Sequence, residues 1–376
     1  MKVALILNEN RPLSTYPSVF NTAHILSKKG WKVSLFVPEN MNVDYELKNV
    51  KIIKFAITKQ AIIGLLPTLF KYTRGYNLLI SFHQYALIGA GLINLFYRIP
   101  FVYFCLEILA FDQIMSFKSK IRKRLEIFFN KRAVLTIVQD VVRKNMIFNL
   151  HKLNNETIFC VPNSYMGIVN QNGDYLRKKW GIPEDRIIVL YAGGIEQWAI
   201  DEKIIAAVKD WDDKFVFVLH GWSRDGYIEK LRPIINEINM EKTKIYLSED
   251  TLSIHEYEQM VSSADIGLCW YRKNLPENVK KIGFSSGKFS SFLRSGLPVI
   301  VPTYLEGISN FIEKYQFGIE VPDEFEIKKA LTTISSDYQK FRNNAFQFYK
   351  ERIDFEINFE KVFNKLNDIL RLDYFR

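Results

Sequence analysis

Short apolar runs alternate with longer segments of helical spacing along the first part of this chain. The runs rich in β-branched and aromatic residues predict strands at Lys2–Leu7, Lys32–Val37, Val50–Phe55, Leu78–Phe82, Phe101–Cys105, Val134–Val138 and Thr157–Val161. Between the first two, Ser18–Lys29 has the spacing of a helix and ends at Gly30, a residue that commonly follows a helix. Near-continuous apolar strands separated by helices are typical of a parallel sheet covered on both faces. We therefore predict an α/β domain at residues 1–163.

A second α/β series follows a polar connection. Val161–Ser164 and the polar run Asn170–Asp174 predict a linker, and strands are predicted beyond it at Arg186–Tyr191, Phe215–His220, Lys244–Leu247, Ile266–Trp270 and Pro298–Val301. The final stretch, through Phe355–Leu372, has the spacing of long amphipathic helices. We predict a second Rossmann-like domain at residues 175–350 and a C-terminal helix at 351–376 that returns to the first domain.

The sequence predicts neither a secretory leader nor a membrane span. The apolar run at the N-terminus stops at Asn8, so it is shorter than a signal sequence and indicates a buried strand. The most hydrophobic stretch, Tyr85–Phe111, contains Arg98, Pro100 and Glu107, and its unbroken apolar run is far below the ~20 residues that a spanning helix needs. We predict a buried helix near residues 86–97, then a break and a strand.

Composition narrows the class of protein without choosing its ligand. The 376 residues include 51 Lys+Arg and 41 Asp+Glu, a net charge of +10, with 48% hydrophobic and 14% aromatic residues. This apolar content excludes a disordered chain. Cys105, Cys160 and Cys269 lie far apart with no CxxC pair, so we expect neither a disulfide framework nor a structural zinc site, and we favour the reducing cytoplasm. A basic, aromatic-rich chain suits a nucleic acid, a membrane surface or a phosphorylated ligand.

Ligands of parallel α/β sheets bind where strands lead into helices, so these turns are the first places to look for chemistry. The first turn, Asn8–Pro12, contains no glycine, which argues against a dinucleotide-binding dehydrogenase. In the second domain Gly193 and Gly194 follow a strand directly. Glycines there let a phosphate approach backbone N–H groups, although a plain tight turn explains them equally well.

The segment Gly283–Phe289 is the feature best suited to a diphosphate. Hydroxyl residues and Gly287 precede a predicted helix, Lys288 lies in its first turn, and Gly296 ends it before a buried strand. A P-loop is excluded because Phe289, rather than Ser or Thr, follows the lysine. The alternative explanation is an ordinary helix N-cap beside a solvated lysine.

Several segments, in order along the chain, resemble motifs of family 4 glycosyltransferases (glycosyltransferase group 1), which have the α/β GT-B fold. Ser285–Lys288 followed by Gly296–Ile300 resembles their donor-site helix and the strand after it. Ala264–Leu268 resembles their ADIGL strand, Val161–Ser164 their PN linker, and Pro100–Glu107 a strand and turn of their acceptor domain. The resemblance implies two Rossmann-like domains that face each other across a cleft. It also implies hexose transfer from a nucleotide diphosphate sugar, without a metal and with retention of configuration.

The resemblance assigns roles to individual residues. It implies donor contacts at Gly193, Gly194, Gly221, Trp222, Ser285, Ser286, Gly287, Lys288 and Ser291. His83 and Glu107 lie on the acceptor side, and with Lys288 they form the implied catalytic set, in which Lys288 and the helix N-terminus stabilise the leaving diphosphate. No cofactor is implied beyond the nucleotide sugar as co-substrate, and the sequence contains no evident metal-ligand motif.

The chain departs from the family pattern at several of these positions. Retaining members carry two glutamates eight residues apart where this chain has Gly283 and Ser291. Gly194 and Trp198 stand near the family's Arg and Lys, and the family's N-terminal glycine pair is replaced around Tyr16–Ser18. Two alternatives therefore stay open: an inactive glycosyltransferase-like partner subunit, and a sugar-nucleotide epimerase of the same fold.

A basic run at residues 118–132 predicts contact with anionic lipid. On a helix it gives an apolar stripe bordered by cations, at Lys118, Lys120, Arg122, Lys123 and Arg124. Ala61–Lys71 is a second apolar candidate. The alternative is that both stripes pack on the sheet while their charges are solvated.

The expected partners follow from these patterns. No nucleic-acid module is visible and the excess of positive charge is local, so nucleic acid is not expected. We expect a nucleotide sugar donor and a glycan or lipid-linked acceptor from surface polysaccharide or glycoconjugate synthesis. The expected location is the cytoplasm, with peripheral attachment to the inner face of the cell membrane.

Overall fold

The computed structural model describes residues 1–57, 61–109, 113–114, 116–170, 173–273 and 275–373. The chain forms two compact units, one of residues 1–166 with the segment that begins at Asp354, and one of residues 167–353. Phe111, part of the predicted linker Asn170–Asp174 and the end of the predicted 351–376 helix lie outside the described residues. Within the described ranges, no helix is long and apolar enough to cross a membrane.

The first unit is built on a parallel sheet of seven strands, and each of the strands predicted there is present. The sheet order is β3-β2-β1-β4-β5-β6-β7. The strands are β1 (Lys2–Leu7), β2 (Lys32–Pro38), β3 (Val50–Phe55), β4 (Leu78–Phe82), β5 (Phe101–Phe104), β6 (Leu135–Val138) and β7 (Ile158–Cys160). Val3 to Leu7 are fully buried, which is the consequence of helices covering both faces of the central strand.

Helices connect these strands in the right order for a doubly wound sheet. They are α1 (Pro17–Lys28), α2 (Ala61–Tyr72), α3 (His83–Tyr97), α4 (Phe117–Asn130) and α5 (Val141–His151). Helix α3 begins earlier than predicted, at His83, directly after β4. It ends as predicted before Pro100, because Arg98 adopts the left-handed conformation with a φ of 54°.

The second unit contains a six-stranded parallel sheet of order β10-β9-β8-β11-β12-β13. Its strands are β8 (Ile187–Ala192), β9 (Phe215–His220), β10 (Ile245–Ser248), β11 (Ile266–Leu268), β12 (Val299–Pro302) and β13 (Gly318–Val321). Its helices are α6 (Tyr175–Trp180), α7 (Glu202–Ala207), α8 (Ile228–Ile238), α9 (Ile254–Ser262), α10 (Glu277–Lys280), α11 (Gly287–Arg294), α12 (Ser309–Tyr315), α13 (Ile327–Ser336) and α14 (Tyr338–Phe348). Strand β13 is the one that the sequence pattern did not predict.

Shorter helical turns and one long helix complete the description. Turns of 3-10 helix occur at Leu13–Thr15, Asn155–Thr157, Val208–Asp210, Gly283–Ser285 and Glu324–Glu326, and a π-helical turn at Tyr349–Ile353. The final helix, α15 (Phe355–Asp373), belongs to the first unit, where Phe355, Phe359 and Leu366 share an apolar cluster with α1 and β1.

The core of the second unit lies on both faces of β8. Ile188 and Leu190 point into one apolar cluster, whereas Val189 and Tyr191 point into the other. Because successive strand residues face opposite sides, a strand apolar throughout must be covered on both. The parallel register brings the carboxyl ends of β8, β9 and β10 to one edge of the sheet.

Candidate functional site

Backbone hydrogen bonds join the turns after β8 and β9 at that edge. The Gly193 N–H donates to the His220 carbonyl at 3.0 Å, and the Gly221 N–H donates to the Ser248 carbonyl at 3.0 Å. A Cβ on Gly221 would lie 1.7 Å from the carbonyl oxygen of Gly193, so only glycine fits at this position. The structure thus brings Gly193 and Gly221, both predicted from the sequence, into direct contact.

Lys288, in the first turn of α11, is buried beside Gly193. Its ammonium donates to the Trp270 carbonyl at 3.1 Å and lies 3.9 Å and 4.2 Å from the ring centroids of Tyr191 and Tyr271. A Cβ on Gly193 would lie 3.3 Å from Lys288 Cε. In the part of the chain that the structure describes, no carboxylate forms an ion pair with this ammonium. The alternative of a solvated lysine is therefore wrong.

Burial changes the protonation of this lysine. Desolvation lowers the pKa of Lys288 to about 7, because a charged ammonium loses its hydration there and the aromatic rings replace it only in part. A negative ligand next to the ammonium would favour the charged form again. A buried cation without an anionic partner is costly, and groups with strongly shifted pKa values cluster at functional sites.

The N-terminus of α11 supplies further groups that suit an anion. Ser286 caps the helix, and its Oγ accepts the Phe289 N–H at 3.4 Å. Gly287 is the first helical residue. The Ser285 hydroxyl donates to the backbone carbonyl of Ile282. Backbone N–H groups at this end carry partial positive charge, so they and the adjacent lysine act in the same direction on an anion.

Ser291 and His220 are two buried polar residues of the same unit. His220 Nδ1 is 3.0 Å from Ser248 Oγ. Burial, and then Lys179, lower the pKa of His220 to about 4, so the ring is neutral at neutral pH. Ser291 is buried beside Tyr257, whose ring centroid is 6.4 Å from that of His220. Burial raises the pKa of Tyr257, and the nearby Ser291 hydroxyl lowers it in part.

Two tryptophans of these turns are exposed. The side chains of Trp222 and Trp198 are 48% and 45% accessible. The Arg224 guanidinium lies 4.3 Å from the Trp222 ring centroid, and the Trp222 carbonyl accepts the Ile195 N–H at 2.9 Å. Trp222 thus stands on the turn that carries Gly221, next to the turn that carries Gly193.

The carboxyl edge of the first sheet has a different set of residues. His83 begins α3 with a φ of 69°, and its ring packs edge-on against Tyr16 with centroids 6.0 Å apart. Burial, and then the charge of Arg11, lower the pKa of His83 to about 4. Glu107 follows β5 and is exposed. No group of three His, Cys, Asp or Glu side chains able to hold a metal occurs among the residues described.

Glu9 is a further residue of this edge that the sequence analysis missed. Burial raises the pKa of the Glu9 carboxyl, Arg11 lowers it, and the neighbouring charge of Glu107 raises it. Glu9 follows β1, and β1 pairs with β4, the strand that His83 follows. The position of Glu9 after an apolar strand is visible in the sequence, but its proximity to Glu107 depends on the order of the strands.

The structure corrects the predicted lipid contact at Lys123. This side chain is 1% exposed, and its ammonium pairs with Glu126 at 3.0 Å. The Tyr103 hydroxyl and the Gln84 amide donate to the same carboxylate at 2.9 Å and 2.6 Å. Because α4 turns Lys123 and Glu126 toward the sheet, Lys123 cannot reach a membrane surface.

The outward face of α4 keeps part of the predicted pattern. Arg122 is half-buried and donates to the Tyr85 hydroxyl. Helical spacing puts the exposed apolar residues of α4 on one side, and exposed cations flank them: the apolar residues are Phe117, Ile121, Leu125 and Phe128, and the cations are Lys118, Lys120 and Arg124. We call these seven residues the α4 outer face.

The second apolar candidate, Ala61–Lys71, forms most of α2. Leu65 and Leu69 are fully buried in the cluster beneath the helix, whereas Ile63 is exposed. This segment therefore packs against the core along one side, as the alternative explanation held.

Comparison with known proteins identifies the fold. Residues 238–361 match the model of the glucosyltransferase 3-like C-terminal domain. No curated protein matches the sequence. HepE of Anabaena in complex with UDP-glucose is similar, with a TM-score of 0.75 at 15% identity over 98% of this chain and 100% of that chain.

Two further solved structures are similar to this chain over nearly its whole length. Sucrose-phosphate synthase from Thermosynechococcus elongatus has a TM-score of 0.67 at 16% identity, covering 100% of this chain and 99% of that chain. WaaG, a glycosyltransferase involved in lipopolysaccharide biosynthesis, has a TM-score of 0.65 at 12% identity, covering 98% and 99%. At these identities the likeness establishes the fold. The chain has the GT-B fold, and the predicted fold class and the resemblance to GT-B glycosyltransferases are confirmed.

Proposed function

We propose that this GT-B chain is a glycosyltransferase that uses a nucleotide diphosphate sugar, with UDP as the first candidate nucleotide. The observation that carries the proposal is the buried Lys288 ammonium at the N-terminus of α11, beside Gly193 and without a carboxylate partner among the described residues. HepE, which shares the fold, is solved with UDP, with UDP-glucose, and with UDP and glucose.

The donor would bind at the carboxyl edge of the second sheet. Gly193 and Gly221 let the turns after β8 and β9 and the Lys288 side chain pack closely at this edge, and Trp222 stands exposed beside them. The diphosphate would lie against Ser285–Lys288, where the helix N-terminus and the lysine both favour negative charge. Ser291 lies buried on the same helix, one turn beyond Lys288.

The proposed reaction needs little more than charge stabilisation from the second unit. The acceptor hydroxyl oxygen bonds to the anomeric carbon, the bond from that carbon to the phosphate oxygen breaks, and its electron pair stays on the diphosphate. The hydroxyl proton passes to the departing phosphate oxygen. Lys288 and the N–H groups of α11 stabilise the charge that develops on this leaving group. Metal independence and retention of configuration are part of the proposal, as the family resemblance implies.

The acceptor would use the carboxyl edge of the first sheet. The Glu9 and Glu107 carboxylates and the His83 ring all accept hydrogen bonds from hydroxyl groups at neutral pH. The low pKa of His83 suits it to orienting a hydroxyl while uncharged, rather than to holding a proton. Carboxylates and a neutral imidazole are suited to the hydroxyls of a glycan or of a lipid-linked sugar.

We also propose that the α4 outer face contacts an anionic membrane surface on the cytoplasmic side. Exposed apolar residues on one side of a helix, flanked by cations, match the pattern of helices that lie in the lipid interface. Peripheral attachment would suit a lipid-linked acceptor in surface polysaccharide synthesis. The cations that remain for this role are Lys118, Lys120 and Arg124.

A thermal-shift screen tests the proposal. UDP, GDP, CDP and ADP are added separately, and we expect one of them, UDP first, to raise the melting temperature, because a ligand at 100 times its Kd adds about 2.7 kcal/mol of stability. Lys288→Met should shrink the shift to about half or less at the same nucleotide concentration, because its affinity is expected to be 10- to 100-fold lower. Lys329→Met, at a side chain that is 83% exposed in the same unit, should leave it unchanged. The proposal is wrong if no nucleotide shifts the wild type, or if Lys288→Met responds as the wild type does.

An inactive partner subunit is the second candidate, and a specific observation favours it. Neither Gly283 nor Ser291 offers the carboxylate that retaining relatives carry. Incubation with UDP-glucose separates the two functions. Slow release of glucose and UDP supports an enzyme, whereas nucleotide binding without turnover, together with co-purification of a second transferase, supports the partner subunit.

A further inference from the structure

The loop after β8 presents an exposed tryptophan that the proposed donor contacts do not use. Trp198 is 45% accessible, whereas Trp211 and Trp270 of the same unit are 2% accessible. Its ring stacks on Tyr271 at a centroid distance of 6.4 Å and an angle of 23°, and its Nε1 donates to the Glu196 carboxylate. The amphipathic ring of a tryptophan on a protein surface is a common element of binding sites.

The loop around Trp198 is firmly held. The Gln197 N–H donates to the Asp225 carboxylate at 3.2 Å, and the Ala199 N–H donates to the Glu196 carbonyl at 2.8 Å. The exposure of Trp198 is therefore a property of an ordered loop, and binding there would cost little ordering of the protein.

The ring beneath Trp198 is fixed as well. The Tyr271 hydroxyl is 2.9 Å from Ser286 Oγ at the start of α11, and the Tyr304 hydroxyl donates to the Tyr271 carbonyl. The same Tyr271 ring lies 4.2 Å from the Lys288 ammonium. One buried aromatic ring thus connects Trp198 to the lysine of the proposed diphosphate site.

Charge separates the two sides of the glycine turn. The Lys288 ammonium lies against Gly193, whereas a Cβ on Gly194 would lie 3.8 Å from Glu196 Cδ, so the Glu196 side chain lies against Gly194. A carboxylate repels a diphosphate but accepts hydrogen bonds from hydroxyl groups. Phosphate is therefore favoured on the Gly193 side and a neutral polyol on the Gly194 side.

We infer that Glu196 and Trp198 form the subsite for the pyranose of the donor. The Trp198 ring offers a flat apolar surface for the C–H face of the sugar, and the Glu196 carboxylate accepts hydrogen bonds from its hydroxyls. Both residues lie on one loop, next to the place proposed for the diphosphate. The inference rests on the proposed function and adds two specificity-determining residues to it.

Calorimetry with UDP and with UDP-glucose tests this subsite: UDP-glucose adds the pyranose and loses one phosphate charge, so each variant is compared with the wild type for the same ligand. Trp198→Ala should lower the affinity for UDP-glucose roughly tenfold, the size expected for loss of an aromatic contact. It should leave the affinity for UDP unchanged. Glu196→Gln keeps an acceptor for Trp198 Nε1 but removes the charge. This variant should have a few-fold lower affinity for UDP-glucose and a slightly higher affinity for UDP. Phe325→Ala, at an aromatic side chain that is 75% exposed in the same unit, is the matched control.

Each outcome decides a different question. A loss of affinity for UDP-glucose, with the affinity for UDP unchanged, supports the subsite. Equal weakening of UDP and UDP-glucose by Trp198→Ala would assign the residue to the nucleotide and overturn the inference, as would unchanged binding of both ligands. If the wild type binds neither ligand, the proposed function fails and the subsite fails with it.

Discussion

Among the residues that the structure describes, each unit buries one lysine of an α-helix, and the surroundings of the two lysines differ. Lys123 of α4 has an anionic partner, Glu126, which also accepts hydrogen bonds from Tyr103 and Gln84. Lys288 of α11 has a backbone carbonyl, two aromatic rings and a glycine turn around it. The Lys123 charge is neutralised within the protein, whereas the Lys288 charge is not. A paired buried lysine indicates structure, and an unpaired one at a sheet's carboxyl edge indicates a ligand.

The carboxyl edges of the two sheets also carry different kinds of side chain. In the second unit, glycines and a buried lysine lie at this edge, which suits a diphosphate. The first unit places Glu9, His83 and Glu107 at its edge, which suits hydroxyl groups. Two units with the same parallel architecture thus carry different side chains at their carboxyl edges, because the residues after the strands vary while the strands keep the fold.

Removal of the paired lysine should have the largest effect on stability. Lys123→Ala leaves the Glu126 carboxylate buried without its counter-charge, so we expect the free energy of unfolding of the first unit to fall by about 3–5 kcal/mol. Urea unfolding measures it. Lys120→Ala, at an exposed cation of the same helix, should change stability by less than about 0.5 kcal/mol. Equal effects of the two substitutions would contradict the assignment of Lys123 to the core.

Substitution at the contact between Gly221 and Gly193 should have the next largest effect on stability. Gly221→Ala puts a methyl group against the Gly193 carbonyl, so we expect a loss of about 2–3 kcal/mol and weaker nucleotide binding. Gly226→Ala is the matched control, since Gly226 has a φ of 69° with no atom within 4 Å of an added Cβ. It should cost only the backbone strain, about 1–2 kcal/mol. A smaller loss for Gly221→Ala than for Gly226→Ala would show that close packing of the two turns is unimportant.

Substitution in the α4 outer face should have the smallest effect on stability and a clear effect on lipid binding. Ile121→Asp puts a charge into the apolar side, so binding to vesicles with anionic phosphatidylglycerol should fall several-fold while stability stays near that of the wild type. Co-sedimentation with these vesicles measures it. Ile357→Asp, at an exposed isoleucine of α15 that is 54% accessible, is the control. Equal vesicle binding by both variants and the wild type would rule out this surface.

The strands were predictable where their apolar runs are continuous. Each strand of the first sheet was found from such a run, because a strand buried on both faces needs apolar residues on both sides. Strand β13 was missed because Gly318–Val321 is short and carries Glu320, which is half-buried. The early start of α3 was missed because His83 begins the helix in the left-handed conformation, which no pattern of apolar residues predicts.

The functional residues were predictable where the chemistry is local in the sequence. Lys288 and its preceding hydroxyl residues form one continuous motif, and the structure places them at one helix N-terminus. Lys123 was misassigned because helical spacing cannot show which of several adjacent cations turns toward a buried carboxylate. Glu9 and Glu196 were missed because their proposed roles depend on residues from other strands and turns: Glu107 for Glu9, and Tyr271, through Trp198, for Glu196.

Calorimetry of UDP binding between pH 7 and pH 9 tests the role of Lys288 most directly. The free lysine has a pKa of about 7, so it loses its proton as the pH rises, whereas a bound diphosphate holds the charged form. The same lowered pKa means that stability without ligand rises with pH above about 7, because the unfolded chain keeps a proton that the folded chain has lost.

The predicted result is a loss of affinity that approaches tenfold per pH unit in the wild type, with uptake of a proton on binding. Lys288→Met should bind UDP roughly 10- to 100-fold more weakly at pH 7, the value of a charge-assisted hydrogen bond, and should lose this pH dependence. Equal affinity and an equal pH profile in the variant and the wild type would contradict the claim that Lys288 binds the diphosphate.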